Sequence, residues 1–206
     1  MEEARAEEGP TREARVASSR SEVLVWGSDA CGQLGVGKYS YAGSYPSPRH
    51  LRYSVHVKAV ACGGAHTLLL SELGYVYAMG DNSDGQLGIA GVRQRSLPTL
   101  LAFSTAQRCW AIAAGARHSL AATASRRVFA FGANEAGQLG LGDQQRRSHP
   151  TALTALDGKH VCALAAGDTH SAAVSEQGEV WLWGSNVHGK LGLPRSPQQR
   201  LLPQCA

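Results

Sequence analysis

From Val23 onward, short apolar runs alternate with glycine-bearing and polar stretches. Over residues 160–184 the pattern reads as three strands. His160 to Gly167 is apolar and small, His170 to Ser175 is a second apolar run, and Glu179 to Gly184 (Glu-Val-Trp-Leu-Trp-Gly) is rich in aromatic and β-branched residues. Ser175-Glu-Gln-Gly178 separates the second run from the third, with glycine where a turn calls for positive φ. The same turn recurs as Ser71-Glu-Leu-Gly74 and, without its glycine, as Ser125-Arg-Arg127. A polar connection then leads to a proline-headed segment such as Leu97-Pro98-Thr99-Leu100-Leu101, where proline suits an edge or first strand position. These signals predict a β-meander of three or four strands.

The meander repeats. Gly27-Ser-Asp-Ala-Cys-Gly32-Gln33-Leu34-Gly35 returns at Gly80 to Gly88, Gly132 to Gly140 and Gly184 to Gly192, in steps of 53, 52 and 52 residues. His66, His118 and His170 close a Gly-x-x-His turn at steps of 52, and Pro46, Pro98 and Pro150 keep the same phase. Several strands in a period of about 52 residues predict one propeller blade per period rather than a helical hairpin.

The motif that runs Phe131-Gly-Ala-Asn-Glu-Ala-Gly-Gln-Leu-Gly-Leu-Gly-Asp143, followed by Pro150 and Gly167-Asp-Thr-His-Ser171, resembles the repeats of the regulator of chromosome condensation family. The resemblance runs from about Val23 to the C-terminus and implies a seven-bladed β-propeller. A kelch propeller is the alternative, but it calls for a repeated Gly-Gly doublet, which only Gly63-Gly64 supplies. Residues 23–206 provide 184 residues, about 3.5 periods, so the expectation is all-β: a partial propeller of about 3.5 blades of four-stranded antiparallel sheet. A half-ring of that kind is expected to be a truncation or isoform, or to need a second chain or missing blades to close. Residues 1–22 are charged and nearly free of large apolar groups, and are expected to be a disordered tail.

Charge changes the picture by region. The tail carries six acidic residues and four arginines, while residues 23–206 carry 16 Lys+Arg against 10 Asp+Glu. Arg49 and Arg52, Arg93 and Arg95, Arg146 and Arg147, and Arg195 and Arg200 all fall in or beside the connection from glycine loop to proline strand. Blades related by rotation place such connections on one face, which predicts a basic rim, with Arg93, Arg95, Arg146 and Arg147 as its partner-binding residues. The implied partner is a protein with an acidic surface or a small GTPase, with nucleic acid disfavoured; solvated loop arginines are the plain alternative. No stretch approaches a membrane span or a secretory signal, so the expected location is cytoplasmic, nuclear or both. Five cysteines without C-x-x-C spacing are expected to be mostly buried thiols.

Little catalytic chemistry stands out. Gly184-Ser-Asn-Val-His-Gly189-Lys190 spells a phosphate-loop core, but Leu191 follows where Ser or Thr is needed, and the other units place Gln33, Gln86 and Gln138 at the lysine position. His66, His118 and His170 occupy one repeat position in separate blades, which predicts structural turn histidines bonding nearby backbone rather than a metal cluster. Asp29, Asp81 and Asn134 are expected to stabilise the loops. Gly32, Gly35, Gly85, Gly88, Gly137, Gly140, Gly189 and Gly192 are expected to be structural, for positive φ and close packing. Trp26, Trp181 and Trp183 in the third strand and Trp110 in a first strand read as packing residues; the turn tryptophan of the family's ultraviolet photoreceptors is missing. The chain is therefore expected to be no enzyme and to hold no cofactor or metal. The favoured function is a non-catalytic protein-interaction module or scaffold; the alternative that the resemblance implies is guanine-nucleotide exchange on a Ran-like GTPase. Against the alternative, no period exceeds 53 residues, leaving no room for the hairpin that the resemblance implies in one blade of the family's founding member, and an acidic tail stands where that member carries a basic one.

Overall fold

The computed structural model describes residues 22–37, 43–192 and 198–205; the expected tail lies, but for Glu22, outside them. Strands β1 (Leu24–Ser28) and β2 (Ser44–His50) pair as a two-stranded half-blade. Three four-stranded antiparallel blades follow. The first holds β3 (Val57–Cys62), β4 (His66–Ser71), β5 (Val76–Asp81) and β6 (Gln94–Leu100). The second holds β7 (Cys109–Ala114), β8 (His118–Thr123), β9 (Val128–Gly132) and β10 (Arg147–Ala152). The third holds β11 (Val161–Ala166), β12 (His170–Ser175), β13 (Val180–Ser185) and β14 (Gln199–Cys205). Each is a meander in sequence order, the partial propeller that the repeat implies. A short helix, α1 (Phe103–Ala106), joins the first blade to the second, and a single 3-10 turn over Thr154–Leu156 stands at the equivalent join; neither has a periodic signal in the sequence. Among the described residues no helix is long and apolar enough to cross a membrane.

The blades pack face to face, which accounts for the composition of their strands. β4 and β8 are buried at every position because both of their faces are covered. Leu68 and Leu70 pack with Cys109, Ala121 and Phe131 of the second blade, while Leu69 turns the other way, to Leu51, Tyr77 and Met79. First strands are alanine-rich (Ala59 and Ala61; Ala111, Ala113 and Ala114; Ala163, Ala165 and Ala166), and β3 packs against β7 and β7 against β11. Small side chains suit the line along which these innermost strands converge. In β12, buried positions alternate with half-buried ones, because its far face has no blade against it among the described residues.

A hydrogen-bonded staple crosses each complete junction. Ser119 Oγ donates to the Gln86 carbonyl (2.7 Å) and pairs with His66 Nε2 (2.8 Å); Ser171 Oγ donates to the Gln138 carbonyl (2.8 Å) and pairs with His118 Nε2 (2.8 Å). Each serine has one proton and gives it to the carbonyl, so each histidine must donate Nε2–H to the hydroxyl. The histidines thus bond a side chain of the next blade rather than neighbouring backbone, and their Nδ1 atoms are buried without a partner. Burial pushes His66 down to about 4 and His118 down to about 3, so both rings are neutral near pH 7. Each ring lies against the first glycine of its turn: a Cβ on Gly63 or Gly115 would fall 2.5 Å from Nδ1 of His66 or His118.

The glycine loop seats the next blade as well. A Cβ on Gly85 would lie 2.7 Å from the Arg147 carbonyl oxygen and from Ser148 Cα, so the loop touches the backbone of β10. A Cβ on Gly88 would meet the Phe131 ring at 3.0 Å, and one on Gly140 the Trp183 ring at 2.9 Å. The first motif glycine serves a different purpose. At Gly132 (φ +108) the pairing of β9 with β10 slips at a bulge, and a Cβ would stand 2.5 Å from the Arg117 carbonyl oxygen.

Two predictions follow from this packing. Gly132→Ala suffers both strain and collision with backbone and should cost about 3 kcal/mol or more, whereas Gly91→Ala, at φ +74 with open space around it, should cost about 1 kcal/mol. Urea denaturation of the two variants checks this; equal losses would contradict the close approach. The second concerns pH. A histidine whose folded value lies below its ordinary 6.5 leaves stability intact above pH 6.5 and removes it progressively as pH falls toward the folded value. Between pH 7.5 and pH 5 the pair should cost about 4 kcal/mol, and His118→Gln should remove about half of that dependence. A variant with the same pH dependence as the parent would refute the assignment.

Candidate functional site

The glycine loops and the Gly-x-x-His turns lie on one face, since the start of each second strand pairs with the end of the third (His66 with Gly80, His118 with Gly132). An Asn or Asp at the base of each loop fixes its shape. Asn82, Asn134 and Asn186 accept through Oδ1 from the backbone N–H of Leu87, Leu139 and Leu191 at 2.9, 2.9 and 3.1 Å. Asp29 accepts likewise from Leu34 (2.9 Å). Asn82 also donates to the carbonyls of Ile89 and Val92 (2.7 Å each), which a carboxylate could not do. Accordingly Asp29 Oδ2 is buried without a partner, and burial raises its carboxyl above the ordinary 3.8. In the first blade Asn82 holds this role. Asp81, its neighbour, instead accepts from Ser83 Oγ (2.7 Å) and Gln86 Nε2 (2.6 Å).

The four arginines of the expected rim do not act as a ring of equivalents. Strand register aligns Arg95 with Arg147 and Arg200, opposite Gly80, Gly132 and Gly184. Arg147 is neutralised by Asp143 at 2.6 Å, and that bond holds the Asp143 carboxyl below its ordinary value. Arg95 is half-buried and lies outside the lining of the cleft described next, and Arg195 falls outside the described residues. Arg93 and Arg146, by contrast, come together. Arg146 of the second blade leans over the glycine loop of the first, where its Nη1 donates to the Ser83 carbonyl (3.3 Å), and both arginines line one cleft of about 340 Å³. Beside it Arg117 bridges two loops, pairing with Asp84 (3.0 Å) and Glu135 (3.4 Å).

Other expected sites are placed differently. Lys190 of the phosphate-loop-like segment reaches Thr169 Oγ1 at 3.3 Å, and the segment forms only a 3-10 turn over Val187–Gly189. Trp183 is fully buried and donates Nε1–H to the Gln138 carbonyl (2.8 Å). Trp26 is 59% exposed, so its reading as a packing residue does not hold within the described half-blade. The cysteines are also more open than expected. Only Cys109 is buried, while Cys62 and Cys162 occupy exposed alternate positions of first strands and Cys205 is exposed on β14.

The family described as the RCC1-like domain matches residues 12–205. The bovine (Bos taurus) secretion-regulating guanine nucleotide exchange factor is 34% identical over 190 residues, covering 85% of this chain and 39% of its own length. The human protein named probable E3 ubiquitin-protein ligase HERC6 is 31% identical over 189 residues, covering 88% of this chain and 18% of its own. Among solved structures, human WBSCR16 superposes with a TM-score of 0.79 at 26% identity, over 91% of this chain and 48% of that one. The chain thus spans less than half the length of each. The expectation of no enzyme is corrected here: relatives at this level of similarity are named as ligases, so the absence of a catalytic residue set in the repeats does not exclude enzymatic service. The match over residues 12–205, with the blades and staples that underlie it, shows that the chain belongs to the RCC1-like domain family.

Proposed function

We propose that this chain is a protein-interaction module whose loop face, at the junction of the first and second blades, contacts a partner protein. The observation that carries this reading is the convergence of Arg93 and Arg146 on one cleft without a carboxylate partner among the described residues. Repeat packing explains the glycines, histidines and asparagines of that face; it does not call for these two arginines. Loops positioned by a rigid scaffold are where recognition is usually built. A second reading, guanine-nucleotide exchange on a small Ran-like GTPase, draws on the name of the bovine exchange factor.

A photo-crosslinking amino acid placed at Glu135, on the loop face, should yield several-fold more partner adducts in cells than one at Leu73, on the opposite face and 71% exposed. Equal or reversed yields would overturn the loop-face reading. For the second reading, release of mant-GDP from Ran is measured with and without the chain. Tenfold acceleration at micromolar concentration would establish exchange, and no acceleration would eliminate it.

A further inference from the structure

We infer that the cleft between the first and second blades is a carboxylate-binding site that takes an acidic peptide segment of a protein partner, with an apolar residue beside the carboxylate. The inference rests on the interaction reading above and names its ligand. Two arginines from two blades line a single cavity of about 340 Å³, and the Arg146 guanidinium bonds the Ser83 carbonyl beside it. The carboxylates nearby are already engaged: Asp84 with Arg117 at 3.0 Å, and Asp81 with Ser83 and Gln86. The one carboxylate in the lining, Asp84, is taken by Arg117, so neither Arg93 nor Arg146 has an ion-pair partner among the described residues, and an entering carboxylate supplies one. The planar guanidinium fork matches a carboxylate in two-point geometry.

Comparison between junctions separates this pair from the demands of the repeat. By strand register the position of Arg93 is held by Gln145 at the junction of the second and third blades, and the position of Arg146 by Gln199. At the junction of the half-blade with the first blade the corresponding residues are Gly43 and Gln94. One of the three described junctions therefore carries both arginines, although all three share the same loop architecture. At the next junction Gln144 spans the loops instead, donating to the Glu135 carbonyl (2.8 Å) and to Gln199 Oε1 (3.2 Å). In the first, Ile89 and Val92 line the cavity beside the arginines and offer an apolar seat next to the charged one. The lining has no aromatic side chain on which a base could stack, and the paired cations form a spot rather than a track along a strand, which favours a peptide over nucleic acid.

The test uses the purified full chain and fluorescence anisotropy. The probe is a fluorescein-labelled hexapeptide of alternating glutamate and leucine; its twin with glutamine for glutamate and a labelled 12-nucleotide single-stranded DNA serve as comparators. The acidic peptide should bind, and the glutamine twin at least tenfold more weakly. Arg93→Ala and Arg146→Ala should each weaken binding about five- to tenfold and together at least thirtyfold. Arg147→Ala, whose guanidinium is bound to Asp143 outside the cleft, should change it less than twofold. Urea midpoints verify folding, and the double lysine variant, which keeps the charges but loses the fork, should bind between parent and double alanine variant. Unchanged binding by the double alanine variant, equal binding of the glutamine twin, or no binding at millimolar peptide would overturn the inference. So would tighter binding of DNA that the same substitutions abolish. If crosslinking at Glu135 captures a partner while the peptide fails to bind, the carboxylate assignment falls and the interaction reading stands. Peptide binding without preferential crosslinking keeps the carboxylate site and overturns the loop-face reading.

Discussion

The hydroxyl shared between blades is the contact on which the rest of this structure depends. Ser119 and Ser171 each spend their proton on a glutamine carbonyl of the preceding blade and receive one from that blade's histidine. With the junction closed but the hydroxyl absent, a buried imidazole N–H and a loop carbonyl would each lose a partner, and an orphaned buried polar group costs about 1–3 kcal/mol. The hydroxyl is therefore a condition of the closed junction's polar balance, beyond the apolar area that the junction covers. That is the behaviour expected of a stacked repeat, in which stability is carried by nearest-neighbour interfaces. Thr67 extends the series by donating to the Gln33 carbonyl at 2.8 Å, so the half-blade is tied in by the same geometry.

The staple also sets the loop face. The glutamine whose carbonyl receives the serine proton is the Gln of the glycine loop, and its side chain accepts from the backbone two residues earlier, at Cys31, Asp84 and Ala136, 2.9 Å each. The contact that joins blades therefore also fixes the loop from within. Arg117 adds a surface tie from the turn beside His118 to the loops on both sides. Side chains borne by such loops keep their positions before a partner arrives, which lowers the ordering cost of binding. Arg146 stands on the connection just before β10 and bonds the Ser83 carbonyl of the preceding blade's loop.

Much of the fold is legible in the sequence because the same physical need recurs in every period. The strand limits around His170–Ser175, the turn glycine at Gly178 and the edge position of Pro98 follow from composition alone. The hydroxyl residue after each histidine (Thr67, Ser119 and Ser171) also recurs in phase, yet its role in the staple becomes visible only when two blades are set side by side, because the bond from histidine to serine links residues 53 apart. The pairing of Arg93 with Arg146 is equally non-local. Read along the chain, all the connection arginines look alike. Register separates them: Arg147 stands opposite Gly132 and finds Asp143, while Arg146 turns toward the preceding blade. The short helix Phe103–Ala106 had no signal because four residues are too few to show a period, and Ser104, which donates to the Leu101 carbonyl and accepts from the Val76 N–H, joins it to the blade.

Repeat equivalence thus acts as a filter on function. A residue that recurs at equivalent positions and bonds or packs across the complete junctions is explained by packing, as with His66, His118 and the loop glycines. A residue that departs from its equivalents is explained by packing only if the departure improves a local contact. Trp183 in place of Met79 and Phe131 passes that test, since it is fully buried and its indole finds the Gln138 carbonyl. Arg126 fails it: it holds φ +61 where Gly74 and Gly178 stand in the sister turns, and its contacts to His160 and Glu176 are exposed and worth little. Arg93 and Arg146 fail it more clearly, because neither finds an ion-pair partner among the described residues and neutral residues serve the neighbouring junctions at the same positions; the inferred carboxylate ligand accounts for that departure.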